Sequence, residues 1–141
     1  MRSAIVSAVA IATLIVGCND PASGPLQKQE VGEYGLQTVN GLTLPYLSNQ
    51  NQTFKAEITG GSLELRNDGS FTETRTSRIT QGSSINPLEA VTSGTYTKNG
   101  TQIVFTISGG AGSQAITYLG VLSTNSVAVT SGGIVFVYNK R

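Results

Sequence analysis

Past residue 33 the chain alternates between apolar and polar positions. Phe54, Ala56 and Ile58 are separated by Lys55, Glu57 and Thr59, and Leu63 and Leu65 flank Glu64. Ile103, Phe105 and Ile107 fall on one face of a period-two pattern, as do Val127 and Val129, and Ile134, Phe136 and Tyr138. A period of two belongs to a strand with one buried face, and a one-residue slip would expose that whole face. Asn40-Gly41, Asp68-Gly69 and Asn99-Gly100 mark hairpins between such runs, because type I′ turns need positive φ at both central residues. Gly60-Gly61, Gly109-Gly110 and Gly132-Gly133 punctuate in the same way. No window of about eleven residues or more after the first 18 carries a helical stripe.

The pattern predicts strands over 34–39, 53–59, 62–66, 70–79, 92–98, 101–107, 115–122, 126–130 and 134–139, with a weaker extended piece at Leu42–Leu47 interrupted by Pro45. Gly35, inside the first strand, suggests a bulge or a close backbone approach. The expected class is therefore all-β: an antiparallel up-and-down meander of about eight or nine strands closing into a small barrel, since closure removes exposed edges. A two-sheet β-sandwich is the alternative. The longest predicted connection is Thr80–Val91, where two readings stand: a lid seating Ile85 and Leu88 in the barrel mouth, or a plain surface loop.

The N-terminus follows a different pattern. Met1-Arg2-Ser3 precedes an apolar run from Ala4 to Val16, too short for the roughly 20 apolar residues of a membrane span and built like a secretory signal. An ordinary signal would leave Cys18 incidental. Ile15-Val16-Gly17-Cys18, however, resembles the lipobox of bacterial lipoproteins, and Cys18 is the sole cysteine of the chain. The resemblance implies a signal peptide at 1–17, acylation of Cys18 and anchoring to a lipid bilayer, which two or more acyl chains make stable. Asn19 after the cysteine implies the outer membrane, facing the periplasm or the cell surface. Residues 18–32, with Pro21, Pro25 and no periodicity, read as a tether reaching on the order of 40 Å at about 3.3 Å per residue. The β domain then occupies 33–141.

Composition narrows the chemistry. Nine Lys and Arg nearly cancel eight Asp and Glu, so nucleic acid is not an expected partner. Without histidine, Ser-His-Asp and Cys-His catalysis and His-based zinc sites fall away together. The scattered carboxylates do not make a calcium loop, and no metal or cofactor is expected. Paired carboxylates among Glu57, Glu64 and Glu73 are the one catalytic arrangement left, for glycoside cleavage, but alternation points Glu57 and Glu64 to solvent. In Ser70–Ile79 the odd positions are Phe71, Glu73, Arg75, Ser77 and Ile79. If Phe71 faces inward, Glu73 and Arg75 do too, unless a bulge resets the register or the strand end projects past the core. An inward pair is a candidate for holding a polar ligand group, with Ile85 and Leu88 above it. The tyrosines fall mostly inside strands and read as core or wall, Tyr46 being the one best placed for exposure.

Several stretches also look familiar together: Tyr34-x-Leu36-x-x-Val39-Asn40-Gly41-x-x-Leu44-Pro45, then Gly61-x-Leu63-x-Leu65-x-x-Asp68-Gly69-x-Phe71, then Ser93-Gly94-x-Tyr96-x-x-x-Gly100-x-x-Ile103-x-Phe105, and finally Phe136-x-Tyr138. Over roughly 33–139 this resembles small bacterial lipoproteins of unassigned function with a lipocalin-like barrel. The Gly-x-Trp of true lipocalins is missing, as the chain has no tryptophan. The resemblance implies a membrane-anchored, non-catalytic barrel acting as an envelope structural or protein-interaction module. A carrier of a small apolar or amphipathic ligand is the alternative, and a glycoside-cleaving enzyme the third. The phenylalanines and aliphatics of the predicted inner face favour a filled interior over a hollow one.

Overall fold

The computed structural model describes residues 28–110 and 113–141. The signal peptide, Cys18 and most of the expected tether lie outside the described residues. Ten strands run β1 (Gly32–Val39), β2 (Leu42–Thr43), β3 (Tyr46–Gln50), β4 (Phe54–Leu65), β5 (Ser70–Gln81), β6 (Ser84–Asn99), β7 (Gln102–Ile107), β8 (Ile116–Leu122), β9 (Ser126–Ser131) and β10 (Ile134–Lys140). Among the described residues there is no helix. Each strand from β4 to β10 pairs antiparallel with the next, and β1 closes the sheet by pairing with both β10 and β4. The result is an eight-stranded antiparallel barrel, with β2 and β3 as additional strands.

Turn chemistry sets the corners. Asn40 and Gly41 (φ 49° and 78°) and Gly132 and Gly133 (58° and 79°) have the paired positive φ of a type I′ turn. At the other two Asx-Gly sites only the glycine is left-handed. Asp68 instead accepts the Ser70 N–H at 2.8 Å, and Gly69 closes onto the Arg66 carbonyl at 3.1 Å.

Two expectations are corrected here. Gly60-Gly61 is not a hairpin: β4 runs through it, with a register shift between Ile58 and Gly60. That bulge turns Ile58 and Leu63, which simple alternation would put on opposite faces, to the same core. A side chain at Gly61 would meet the Thr74 carbonyl oxygen at 2.6 Å, so the approach of β5 demands glycine. Nor is Thr80–Val91 a loop. β5 and β6 pair without a break from Ser70↔Thr95 to Gln81↔Ser84, around a two-residue turn at Gly82-Ser83. The first of these has φ +57°, as a type II′ turn requires.

The core lies on the barrel axis. Tyr34, Leu63, Leu65, Phe71, Ile103, Phe105, Val127, Val129, Phe136 and Tyr138 are fully buried. The rings of Phe71 and Phe105 meet edge to face with centroids 5.0 Å apart, and Tyr118 stacks on Phe105 at 5.0 Å. One end of the barrel is sealed by residues 28–31, part of the expected tether. Glu30 and Val31 are buried there, Tyr34 donates its hydroxyl hydrogen to the Glu30 carbonyl (2.7 Å), and Lys140 reaches the Gln29 carbonyl (3.0 Å). At the opposite end Leu44 and Tyr46 pack against the core, and Asn40 is bonded in both directions to the Val135 backbone. Tyr46 is thus half-buried, with its hydroxyl accepting from the Asn40 amide at 3.0 Å.

Candidate functional site

Phe71, Glu73 and Arg75 all face inward, because β5 pairs with β4 and β6 without a register shift over that span. Glu73 sits opposite Leu63 on one side and Thr92 on the other, and is only 1% exposed. Arg75 holds it in a bidentate bridge, Nε to Oε1 at 2.9 Å and Nη2 to Oε2 at 3.1 Å. Tyr138 donates to Oε1, and Tyr118 donates to Oε2 at 3.4 Å. Four donors thus occupy the roughly four acceptor positions of a carboxylate. The guanidinium also lies 4.3 Å from the centroid of the Phe136 ring, a cation–π contact with the strand that also carries Tyr138.

The surroundings explain the electrostatics. Between Lys98 and Lys140 the chain has no charged residue, so β7–β10 face the buried carboxylate with tyrosine hydroxyls alone. Burial, reinforced by the negative charge of Glu73, pushes the Tyr138 and Tyr118 phenols far above their ordinary value. They therefore act as neutral donors. Burial works against the Arg75 cation, but the hydrogen bonds and charge of Glu73 outweigh it and the guanidinium is held more firmly protonated.

The other sequence-derived candidates do not join this cluster. Ile85 and Leu88 lie on the distal half of β6, 64% and 55% exposed, and do not enter the barrel mouth. They belong to an extended hairpin, so neither the lid nor the surface-loop reading survives. Glu57 and Glu64 face outward, opposite Arg78 and Thr72. Glu57 is nevertheless only 6% exposed, because Lys55 (2.7 Å) and Arg78 (2.7 Å) close over it. Hydrogen bonds from Lys55 and then Arg78 hold its carboxyl below the usual range. Glu57 and Glu64 lie on the opposite face of the sheet from Glu73, so neither converges with it on a common cleft. Among the described residues no group of three or more Asp or Glu forms a metal-holding cluster.

Surface depressions of about 480, 380 and 360 Å3 gather at the end where β8 meets β9 and residues 28–30 lie, lined by residues such as Asn125, Asn139, Thr124, Lys28 and Tyr96. A fourth, of about 190 Å3, lies at the tip of β4 and β5. None of the four is lined by Phe71, Glu73, Phe105 or Phe136. Among the described residues every buried side-chain polar atom has a partner.

What the sequence reading missed is the flap. From Ser62 on β4 pairs with β1, whereas its earlier residues Lys55–Ile58 pair with β3, and among the described residues β6 between Ser84 and Gly94 has β5 as its only partner. The β3–β6 ends therefore project beyond the barrel. The signal for it was Gly82-Ser83, a dipeptide that suits a two-residue hairpin. Comparison with known protein families, with curated proteins and with solved structures finds no match to this chain.

Proposed function

We propose that the protein is a lipid-anchored, non-catalytic interaction module of the bacterial envelope that docks through its flap. The lipobox-like Ile15-Val16-Gly17-Cys18 supports the anchor, and Asn19 after it supports the outer-membrane location. The observation that carries the docking role is the contrast between interior and flap. Phenylalanines, tyrosines and a fully bonded Glu73–Arg75 pair fill the barrel, whereas β6 holds Ile85, Leu88 and Val91 in solvent at 64%, 55% and 60% exposure. Ile85 and Val91 lie on the outer face of β6 and Leu88 on its inner, so a partner lying along this strand would cover all three. A filled interior weighs against the carrier reading, since a ligand pocket commonly needs about 300 Å3 or more of apolar-lined space. The divided carboxylates weigh against glycoside cleavage, which in its usual retaining or inverting forms needs two within about 5–10 Å across one cleft.

The test is chemical cross-linking in intact cells, comparing the wild-type protein with Leu88→Lys. The wild type should give a discrete higher-mass species that the variant loses at equal abundance. Identical patterns for both proteins would overturn docking through the flap.

A further inference from the structure

We infer that the flap's partner is a second copy of this chain, joined along the free edge of β6 in an antiparallel, two-fold symmetric pairing centred on Leu88. The inference rests on the interaction-module reading and names its partner.

The direction of the backbone groups comes first. In a two-residue hairpin the pair flanking the turn exchanges both hydrogen bonds, and bonded pairs then alternate. With Gln81↔Ser84 flanking the turn, the even residues of β6 are bonded to β5. On the other side, Asn99↔Gln102 flanks the next turn, so the odd residues of β6 face β7. Pairing with β7 stops at Thr95↔Thr106. Among the described residues, the backbone groups of Ile85, Pro87, Glu89, Val91 and Ser93 are therefore left on an open edge. Proline stands at an edge-facing position, where its missing N–H costs the β5 ladder nothing but withholds one hydrogen bond from a strand added along this edge.

One register of self-pairing suits this edge. Centred on Leu88, it sets Ile85 opposite Val91 of the second copy, Pro87 opposite Glu89 and Leu88 opposite Leu88. Ile85, Leu88 and Val91, the large apolar side chains exposed on the distal half of β6, then each gain an apolar cross-strand neighbour, Ile85 and Val91 on the outer face and Leu88 on the inner. Ser83 of one copy falls opposite Ser93 of the other, so each hairpin tip ends just short of where β7 takes up pairing at Thr95. Charges agree as well. Arg78 lies across from Pro87 on the outer face with its side chain 47% exposed. Glu89 of the second copy would flank that same proline, and Glu89 has no ion-pair partner among the described residues. Centring the pairing on Glu89 would instead set two carboxylates directly opposite, which is unfavourable. The arrangement is closed and isologous, so it stops at a dimer.

The experiment is disulfide trapping of the full-length protein in its own membrane under a mild oxidant. In this register the Leu88 pair is non-bonded, with Cα atoms about 4.5 Å apart, inside the roughly 4.4–6.8 Å range of a disulfide. The two Glu89 positions are offset along the strands and fall beyond about 7 Å, too far to bridge. Leu88→Cys should form a covalent homodimer at least about ten-fold more than Glu89→Cys does, the wild-type chain run beside them reporting any bridge through Cys18. Adding Ile85→Lys and Val91→Lys should abolish the bridge. No dimer from Leu88→Cys, or equal dimer from Glu89→Cys, would overturn the inference. If Leu88→Cys fails while Leu88→Lys still removes a cross-linked species in cells, the docking role stands and the partner is a different chain. If both fail, both readings fall.

Discussion

Tyr138 donates its hydroxyl hydrogen to Glu73 across the axis of the barrel, from a strand 65 residues further along the chain. This contact ties β10 to β5, strands that are not neighbours in the sheet. Together with Arg75 and Tyr118 it makes a carboxylate the polar centre of an otherwise apolar core. Removing one member of a buried, bonded pair leaves the other uncompensated, which costs far more than the pair contributes when intact.

Arg75→Ala should therefore destabilise the protein by about 3–5 kcal/mol, reduced somewhat because its side chain is 29% exposed. The double variant Glu73→Leu/Arg75→Met should recover much of that loss by removing both charges. Urea unfolding reads both. A loss under about 1 kcal/mol for Arg75→Ala would place the pair outside the cooperative core.

Alkaline pH should unfold the protein early. Burial raises Tyr34, raises Tyr96 to about 12, and raises Tyr118 and Tyr138 further. For a group raised on folding, the stabilisation is whole below the unfolded value, about pH 10 for tyrosine, and is lost as pH climbs through the folded value. Urea midpoints should thus begin to fall near pH 10 and keep falling toward 12, with a shallower slope in Tyr138→Phe. A midpoint flat across that window would contradict the burial of these phenols.

Two glycines should resist substitution for steric reasons. A Cβ at Gly94 would stand 2.1 Å from the Thr106 carbonyl oxygen and 2.9 Å from Phe71, and one at Gly120 would stand 2.8 Å from Phe105. Gly120→Ala should cost about 1–3 kcal/mol by overpacking. Gly94→Ala should cost more, because a backbone oxygen must move. Gly110→Ala, with no atom within 4 Å of the new group, is the control. Thermal unfolding of the three variants checks the order.

The proposed anchor gives a separate prediction. Cys18→Ser should move the protein from the membrane to the soluble fraction on cell fractionation, because acyl chains supply the membrane affinity. A Ser variant that still sediments with the membranes would remove the lipidation claim.

The barrel was legible because its inner faces alternate cleanly and its turns carry glycine. Glu73 and Arg75 were legible as an inward pair from Phe71 in the same register. Their tyrosine partners were not, since contact across a barrel depends on strand order and stagger, which no local pattern encodes. The distal half of β6 was hidden for a different reason. Residues Ile85–Ala90 are exposed on both faces, so no burial imposed alternation there, and Asn86-Pro87 imitates a loop. The bulge before Gly60 misled in the opposite sense, because two glycines in a strand look like a turn until pairing across them is seen.

Native mass spectrometry of the full chain, released in mild detergent from its own membrane, tests most directly the claim of a filled barrel that acts by docking. The account predicts the acylated chain, alone and as a protein complex, carrying no small apolar molecule. A one-to-one adduct with such a molecule, retained when Leu88→Lys removes the protein complex, would contradict it and make the barrel a carrier.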